Sequence, residues 1–437
     1  MLRGSSLGSV QFNRTDFALH DWILYMDARP QTSLSENESL WDTDNALEVQ
    51  SPMTLADASH LRIALFSGNY NYVRDGANQA LNRLVEYLLR RGIAVRVYSP
   101  TSDKPAFEPQ GDLVSLPSMP ALLGRGEYRM AWKIPGSVRQ DIAAFRPNLV
   151  HISVPLLLGP NALRLARSMK IPAVASMHTR FETYPRYYGL GFLEPGVIAL
   201  LRRFYRGCDA VVAPSESAAQ IMLDQGMAEK IGIWTRGIDT SIFNPGQRSL
   251  EWRRSCGIGD QEVVVGFLGR LVMEKGLDVV AQTLVKLRQT NVPHRTMVIG
   301  DGPARGWFEE QLPGALFCGH MQGDALGRAV ASADILFNPS VTESFGNVTL
   351  EAMASGLPVV AARSTGSANL VSNGETGRLV EPGSIDAFSQ ALQFYVEDDA
   401  TRLAHGQAAL DASMAYDWDQ VNEAMVRTYL DVVAAAR

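Results

Sequence analysis

The strongest constraint on this chain is a rhythm that runs twice. From Leu61 onward, short apolar runs alternate with helix-length amphipathic stretches. LRIALFSG is followed by DGANQALNRLVEYLLRRG, with Ala80, Leu84, Tyr87 and Leu88 at helical spacing, and then by IAVRVYSP. RPNLVHISV, KIPAVASMH and CDAVVAPS continue the series to a last run near 231–234. Phe243-Asn244-Pro245-Gly246 breaks the pattern and reads as a linker. EVVVGFLGR, GLDVVAQTLVKLRQ, RTMVIGDG, ALFCGH, ADILFNPS, LPVVAARS and GRLVEP then restart it. Strands separated by helices pair in parallel through crossovers, so the pattern predicts an α/β chain of two Rossmann-like halves. Ligands of such sheets sit beyond the carboxyl ends of the strands, and two halves face to face leave a cleft for one.

A length of 437 residues is too great for one ordinary core and suits two domains. Apolar residues make up 46% and charged residues 20%, the balance of a soluble globular chain. The net charge of −6 gives no general attraction to nucleic acid. Cys208, Cys256 and Cys318 are widely spaced and form no CxxC, so reduced thiols and a cytosolic setting are the expectation. No apolar run approaches the ~20 residues of a membrane span. Residues 1–56 are rich in Ser, Asn and Asp with weak periodicity, and read as a poorly ordered extension without signal-peptide character. Asp42-Thr43-Asp44 lies there, follows no apolar strand, and reads as a solvated loop rather than a metal–diphosphate site.

TESFGNVTLEAMASG, residues 342–356, carries Glu343 and Glu351 eight residues apart. It follows the strand ADILFNPS, and Gly356 and Pro358 stop what comes after it, which predicts a helix from about Asn347 to Ser355. Eight residues span ~12 Å if helical throughout. A glycoside hydrolase needs its carboxylates at roughly 5–9.5 Å, so this pair suits two sugars held apart by a diphosphate better. Between the acids, the helix start at Phe345, Gly346 and Asn347 offers N–H groups and a positive dipole end, and Gly346 permits close approach. A capped helix with two solvated acids accounts for the spacing equally well. Arg270, Glu274 and Lys275 stand where the strand VVVGFLG meets the next helix. Arg270 and Lys275 there could clamp a diphosphate, although such a pair in isolation reads as surface charge. GDGPARG, with glycines at 300, 302 and 306, has the wrong spacing for a dinucleotide fingerprint, and the helix after it is interrupted by Pro313-Gly314.

GRLVMEKG, VIGDGP, FCGHM, PSVTESFGNVTLEAMASGLPVVA and GETGRLVEPG, in that order, resemble the retaining GT-B glycosyltransferases, in particular glycosyltransferase family 4. HTRFETYPRYYGLGFLEP, APSESA and RGIDTSIFNP are similar to its branch of sulfoquinovosyl-, glucosyl- and mannosyltransferases acting on lipids. The resemblance runs from about Leu61 to the C-terminus. It implies a GT-B fold: an N-terminal acceptor domain over 57–240, a C-terminal donor domain over 241–410, and a last helix over 411–437 returning to the first. It implies transfer of a hexose from a nucleotide diphosphate sugar to a hydroxyl acceptor with retention, UDP slightly preferred over GDP, and no metal or other cofactor. By the same resemblance Glu343 holds the donor sugar, Phe345 and Gly346 supply N–H groups beside Asn347, and Glu351 takes the ribose. Arg270 and Lys275 neutralise the diphosphate, Gly302 and Met321 lie at the base, and Gly76, in Asp75-Gly76-Ala77, covers the diphosphate. His178 matches the histidine near the donor sugar, whereas His151, also at a strand end, reads as structural. One departure is Asn369, where the family often has an acid. An epimerase or a silent nucleotide-sugar-binding module of the same architecture, and a polysaccharide or soluble acceptor, remain as alternatives.

Two segments suggest docking to an anionic membrane surface, and with it a lipid acceptor and a place on the inner face of the cell membrane. LPSMPALLGRGEYRMAWKIP mixes Leu122, Leu123, Met130 and Trp132 with Arg125, Arg129 and Lys133. EPGVIALLRRFYRG reads as a helix that sets Phe204 and Tyr205 beside Arg202, Arg203 and Arg206. A core helix whose charges favour its own C-terminal dipole is the alternative reading.

Overall fold

The structure is a computed structural model that describes residues 55–436, apart from 74, 121–127, 184 and 186–189. Residues 1–54 of the extension, with its D-x-D, and Leu122, Leu123 and Arg125, lie outside the described residues. Residues 1–57 with Glu182–Pro195 form one compact unit, and Ala58–Phe181 with Gly196–Arg437 form the other. The described elements that fall in the first or begin or end in it include the 3₁₀ segments Leu55–His60, Phe181–Thr183 and Gly191–Leu193, the last exposing Phe192, and the start of helix Glu194–Tyr205.

The larger unit holds two parallel sheets. The strands of the first are β1 (Arg62–Phe66), β2 (Ala94–Ser99), β3 (Asp112–Ser115), β6 (Leu149–Ile152), β7 (Ala173–Ser176), β8 (Ala210–Ala213) and β9 (Gly232–Ile233). They stand in the order β3-β2-β1-β6-β7-β8-β9. A separate antiparallel pair joins β4 (Met119–Pro120) to β5 (Arg129–Met130). The second sheet comprises β10 (Val264–Leu268), β11 (Arg295–Ile299), β12 (Leu316–Gly319), β13 (Ile335–Asn338), β14 (Val359–Ala362) and β15 (Gly377–Val380). Its order is β12-β11-β10-β13-β14-β15. Burial on both faces explains why these strands read as continuous apolar runs rather than alternating ones: every residue of β6, β7, β13 and β14 is buried.

Each sheet reverses its strand order once, between β1 and β6 and between β10 and β13. These are the points where connections leave to opposite sides and a crevice opens at the carboxyl ends. Helix Gly76–Arg90 follows β1, opened by Asp75, whose carboxylate accepts from the N–H groups of Ala77 and Asn78 while the Asn78 side chain accepts in return. Helix Asn347–Ala354 follows β13 and has no side-chain cap; Gly346 precedes it at φ +100°.

The chain ends away from the second sheet. Helix Trp418–Ala435 buries Val421, Met425, Val426, Tyr429, Leu430 and Val433 in the cluster that also contains Leu61, Ile63, Leu65, Leu84 and Leu88. It therefore covers one face of the first sheet beside helix Gly76–Arg90.

Candidate active site

The loops after β10 and β13 bring the acidic and basic candidates together. Beyond Leu268 the chain turns at Gly269 and exposes Arg270, whose guanidinium meets no partner among the described residues. A 3₁₀ turn, Met273–Lys275, and Gly276 at φ +74° then lead into helix Leu277–Gln289. Lys275 Nζ donates to Glu343 Oε1 at 3.0 Å, with the Glu343 side chain 12% exposed. An ammonium carries three N–H donors, so this pair leaves two for another anion.

Glu351 lies one face further along helix Asn347–Ala354. Burial, then the charge of Glu343, push its carboxyl up to about 8, so at neutral pH it is mostly protonated. It lines a cavity of about 120 Å³ with Gly76, Gln79, Arg83, Arg236, Asp239, Asn347 and Trp418. Gly76 lies directly against Asn347: a Cβ on it would fall 2.4 Å from Asn347 Nδ2. The two switch-point helices thus meet at their N-terminal ends, and glycine is what permits it. Gly302 lies against the carbonyl of Leu271, 2.4 Å from where its Cβ would be, and holds the loop after β11 beside the Arg270 turn. Met321, after β12, is half-buried against the core of the second sheet. Phe345 is buried and packs edge-on to Tyr416.

His178 follows β7 and sits in a chain of hydrogen bonds rather than at a free surface. Arg236 Nη2 donates to His178 Nδ1 at 2.9 Å. The other ring nitrogen lies 2.8 Å from Ser176 Oγ, which is 2.7 Å from His151 Nε2, and His151 Nδ1 is 2.7 Å from the Tyr429 hydroxyl. A guanidinium only donates, which fixes the direction of the whole chain. His178 Nδ1 accepts, so its proton is on Nε2 and goes to Ser176. Ser176 donates to His151 Nε2, and His151 Nδ1–H donates to Tyr429. Both rings are neutral: burial holds His178 well below the usual histidine range, helped by Arg236 and His151, and burial holds His151 at about 3. Both nitrogens of His178 are thus occupied by the protein, and its carbonyl accepts from Ser344 Oγ at 3.3 Å. His151 is the structural residue that its strand-end position suggested, buried in the core.

Sequence reasoning passed over Arg236, in WTRGID, and over the serines of APSESA. Ser215 Oγ donates to the carbonyl of Ser344 at 2.9 Å and Ser217 Oγ to that of Thr365 at 2.9 Å. Asn369 Nδ2 donates to Ser217 Oγ at 2.6 Å and to the Thr365 carbonyl. The departure from the family's acid is therefore a clasp between the loop after β8 and those after β13 and β14.

The surface candidates are only partly available. Phe204 and Tyr205 are buried in the core of the first sheet, which corrects their expected place on a membrane-facing surface. Arg202 donates to the Gln225 carbonyl at 2.9 Å, Arg206 to that of Gly226, and Arg129 to Ser118 at 2.9 Å, so these arginines brace loops. Trp132, Lys133, Leu200 and Arg203 are exposed. No described helix is long and apolar enough to cross a membrane, and no three His, Cys, Asp or Glu among the described residues stand together as metal ligands.

Known proteins match this arrangement along most of its length. The Glycosyltransferase Family 4 model matches residues 74–242 and the Glycosyl transferases group 1 model matches 262–398. A sulfoquinovosyl transferase of Arabidopsis thaliana is 31% identical, over 86% of this chain and 75% of its own. The chain is a family 4 glycosyltransferase. The enzyme is also 30% identical to a GDP-mannose-dependent alpha-mannosyltransferase of Mycolicibacterium smegmatis, over 84% of this chain and 97% of that one. An alpha-monoglucosyldiacylglycerol synthase of Streptococcus pneumoniae is 26% identical over 73% and 75%. Among solved structures, HepE of Anabaena in complex with UDP-glucose superposes on the glycosyltransferase with a TM-score of 0.64, at 19% identity over 85% of this chain and 100% of that one. The two sheets and their connections are the GT-B fold.

Proposed function

We propose that the enzyme transfers a hexose, with retention, from a UDP-sugar to a hydroxyl of a membrane glycolipid precursor. One observation carries the reading: Glu343, paired with Lys275, and the largely protonated Glu351 flank an uncapped helix start that faces Gly76. The arrangement suits a ligand with a sugar at each end and a diphosphate between them. In the step, the bond from the anomeric carbon to the diphosphate oxygen breaks and one to the acceptor oxygen forms on the same face. The acceptor proton passes to the departing phosphate. Arg270, Lys275 and the helix dipole stabilise the charge that develops there, without a metal. UDP is favoured by the UDP-glucose bound to the Anabaena neighbour. GDP-mannose is the second reading, favoured by the Mycolicibacterium relative. The Streptococcus relative, whose name specifies a diacylglycerol product, supports a lipid acceptor, and exposed Trp132, Lys133, Leu200 and Arg203 support its capture at an anionic inner membrane surface.

The test is a screen of UDP-glucose, UDP-glucuronate and GDP-mannose by donor turnover with and without a lipid hydroxyl acceptor, reading the product's anomeric configuration by NMR. A UDP-sugar turned over with retention supports the reading; turnover of GDP-mannose alone transfers it to the second. Donor turnover without acceptor, yielding an isomerised sugar nucleotide, would point to an epimerase. Sedimentation with anionic vesicles at low salt, lost at high salt and absent with neutral ones, tests the surface. A protein that stays in the supernatant throughout points to a soluble or polysaccharide acceptor.

A further inference from the structure

Arg236 is 5% exposed and lines the cavity beside Glu351, Asn347 and Gly76. A guanidinium has five N–H donors. Nη1 donates to the carbonyls of Trp234 at 3.3 Å and Thr235 at 3.2 Å, and Nη2 to His178 Nδ1 at 2.9 Å. All three acceptors are neutral. At least two N–H groups, that on Nε among them, meet no protein acceptor among the described residues.

The carboxylates around it are engaged elsewhere. Asp75 caps helix Gly76–Arg90 and accepts from Asn69 as well. Asp239 pairs with Arg83 at 2.6 Å and accepts from Ser241. Glu351 is mostly protonated at neutral pH. The charge of Asp75 reaches Arg236, but no carboxylate among the described residues is hydrogen-bonded to it, so part of the desolvation cost stays uncompensated until an anion arrives. Its anchoring is rigid, since the acceptor nitrogen of His178 is fixed by the chain that runs through Ser176 and His151 to Tyr429.

We propose that Arg236 is a third cationic contact for the donor's diphosphate, supplied from the end of the first sheet while Arg270 and Lys275 come from the second. The proposal rests on the reading of the donor as a nucleotide diphosphate sugar. It gives the first sheet a direct hold on the charged part of the donor, so that a bound diphosphate draws on cations from both sheets at once.

Calorimetry with UDP, GDP, uridine and guanosine against wild type, Arg236→Gln and Arg236→Lys tests it, with thermal melts to establish folding. Arg236→Gln should weaken the preferred diphosphate about tenfold or more, the size of a lost charge-assisted contact. Nucleoside binding should be unchanged, and Arg236→Lys should recover most of the loss. Arg236→Gln binding the diphosphate as tightly as wild type overturns the proposal and leaves Arg236 a strut for His178. Wild type binding neither diphosphate overturns the donor reading itself, an outcome visible without any variant. Should Arg236→Gln not fold, inorganic pyrophosphate supplies a second readout. The guanidinium carbon stands 5.3 Å over the Trp234 ring. Pyrophosphate should change tryptophan emission more in wild type than in Trp234→Phe, and equal changes overturn the proposal.

Discussion

Lys275 and Glu343 hold one another before any donor arrives, so each is the other's placement as well as a contact in its own right. Lys275→Ala and Arg270→Ala are expected to lower turnover 10²-fold or more, the order of lost transition-state charge stabilisation; steady-state rates of the folded variants check this, and near-normal rates in both would remove them from the step. Glu351 makes a different prediction. Its carboxyl is raised to about 8 in the folded chain, against ~4.3 when unfolded. Below the unfolded value both states are protonated and the shift has no effect. As pH rises from there to about 8, the unfolded state ionises and the folded state does not, so stability falls; above that the loss is constant. Glu351→Gln should abolish this component. Melting temperatures from pH 4 to pH 9 should therefore converge at the acid end, with the variant higher at the alkaline end. The same variant should weaken nucleoside diphosphate binding, whereas Glu343→Gln should spare it and impair use of the sugar donor; calorimetry showing the reverse would exchange the two roles.

At the scale of elements, the uncapped helix Asn347–Ala354 depends on the backbone before it. Gly346 at φ +100° would need a side chain in a left-handed conformation, 3.3–3.4 Å from Leu370 and the backbone of Gly366. Gly346→Ala should cost about 1–2 kcal/mol in denaturant unfolding, with turnover falling as well because the N–H groups shift. Strands and helices were legible because burial on both sheet faces makes each strand a solid apolar run, and the helix stops at Gly92 and Gly356 are local chemistry. Glu343 and Lys275 were legible as candidates because each follows a strand end, whereas Gly76 stood out only through the family resemblance; that all three lie at switch points depends on the strand order. Arg236 was not, because an arginine after a two-residue strand looks like linker, and only residues far along the chain make it buried. His178 was legible as a position but not as a bonded ring, since the chain of hydrogen bonds behind it closes on Tyr429, 278 residues after His151. Phe204 and Tyr205 misled because an amphipathic helix shows its apolar face identically whether a core or a membrane receives it.

At the largest scale, within the larger unit, the loops beyond the two sheets are joined by small contacts: Ser215 to Ser344, Ser217 to Thr365, and Asn369 to Ser217. Asn369→Asp removes a donor and sets a carboxylate against the Thr365 carbonyl. Small-angle scattering of the unliganded variant should show a larger radius of gyration than wild type, and an unchanged radius would mean that the clasp does not hold the cleft closed. The other long-range tie is helix Trp418–Ala435, which fills the underside of the first sheet. Domains generally finish folding in the order in which they leave the ribosome. Here the earliest-made sheet waits for the last-made helix: until residue 433 has emerged, Leu61, Ile63 and Leu84 have no lid. A nascent chain stalled after the second sheet would hold a finished second half and an open first half, so truncation near the C-terminus should damage the part of the enzyme that was synthesised first.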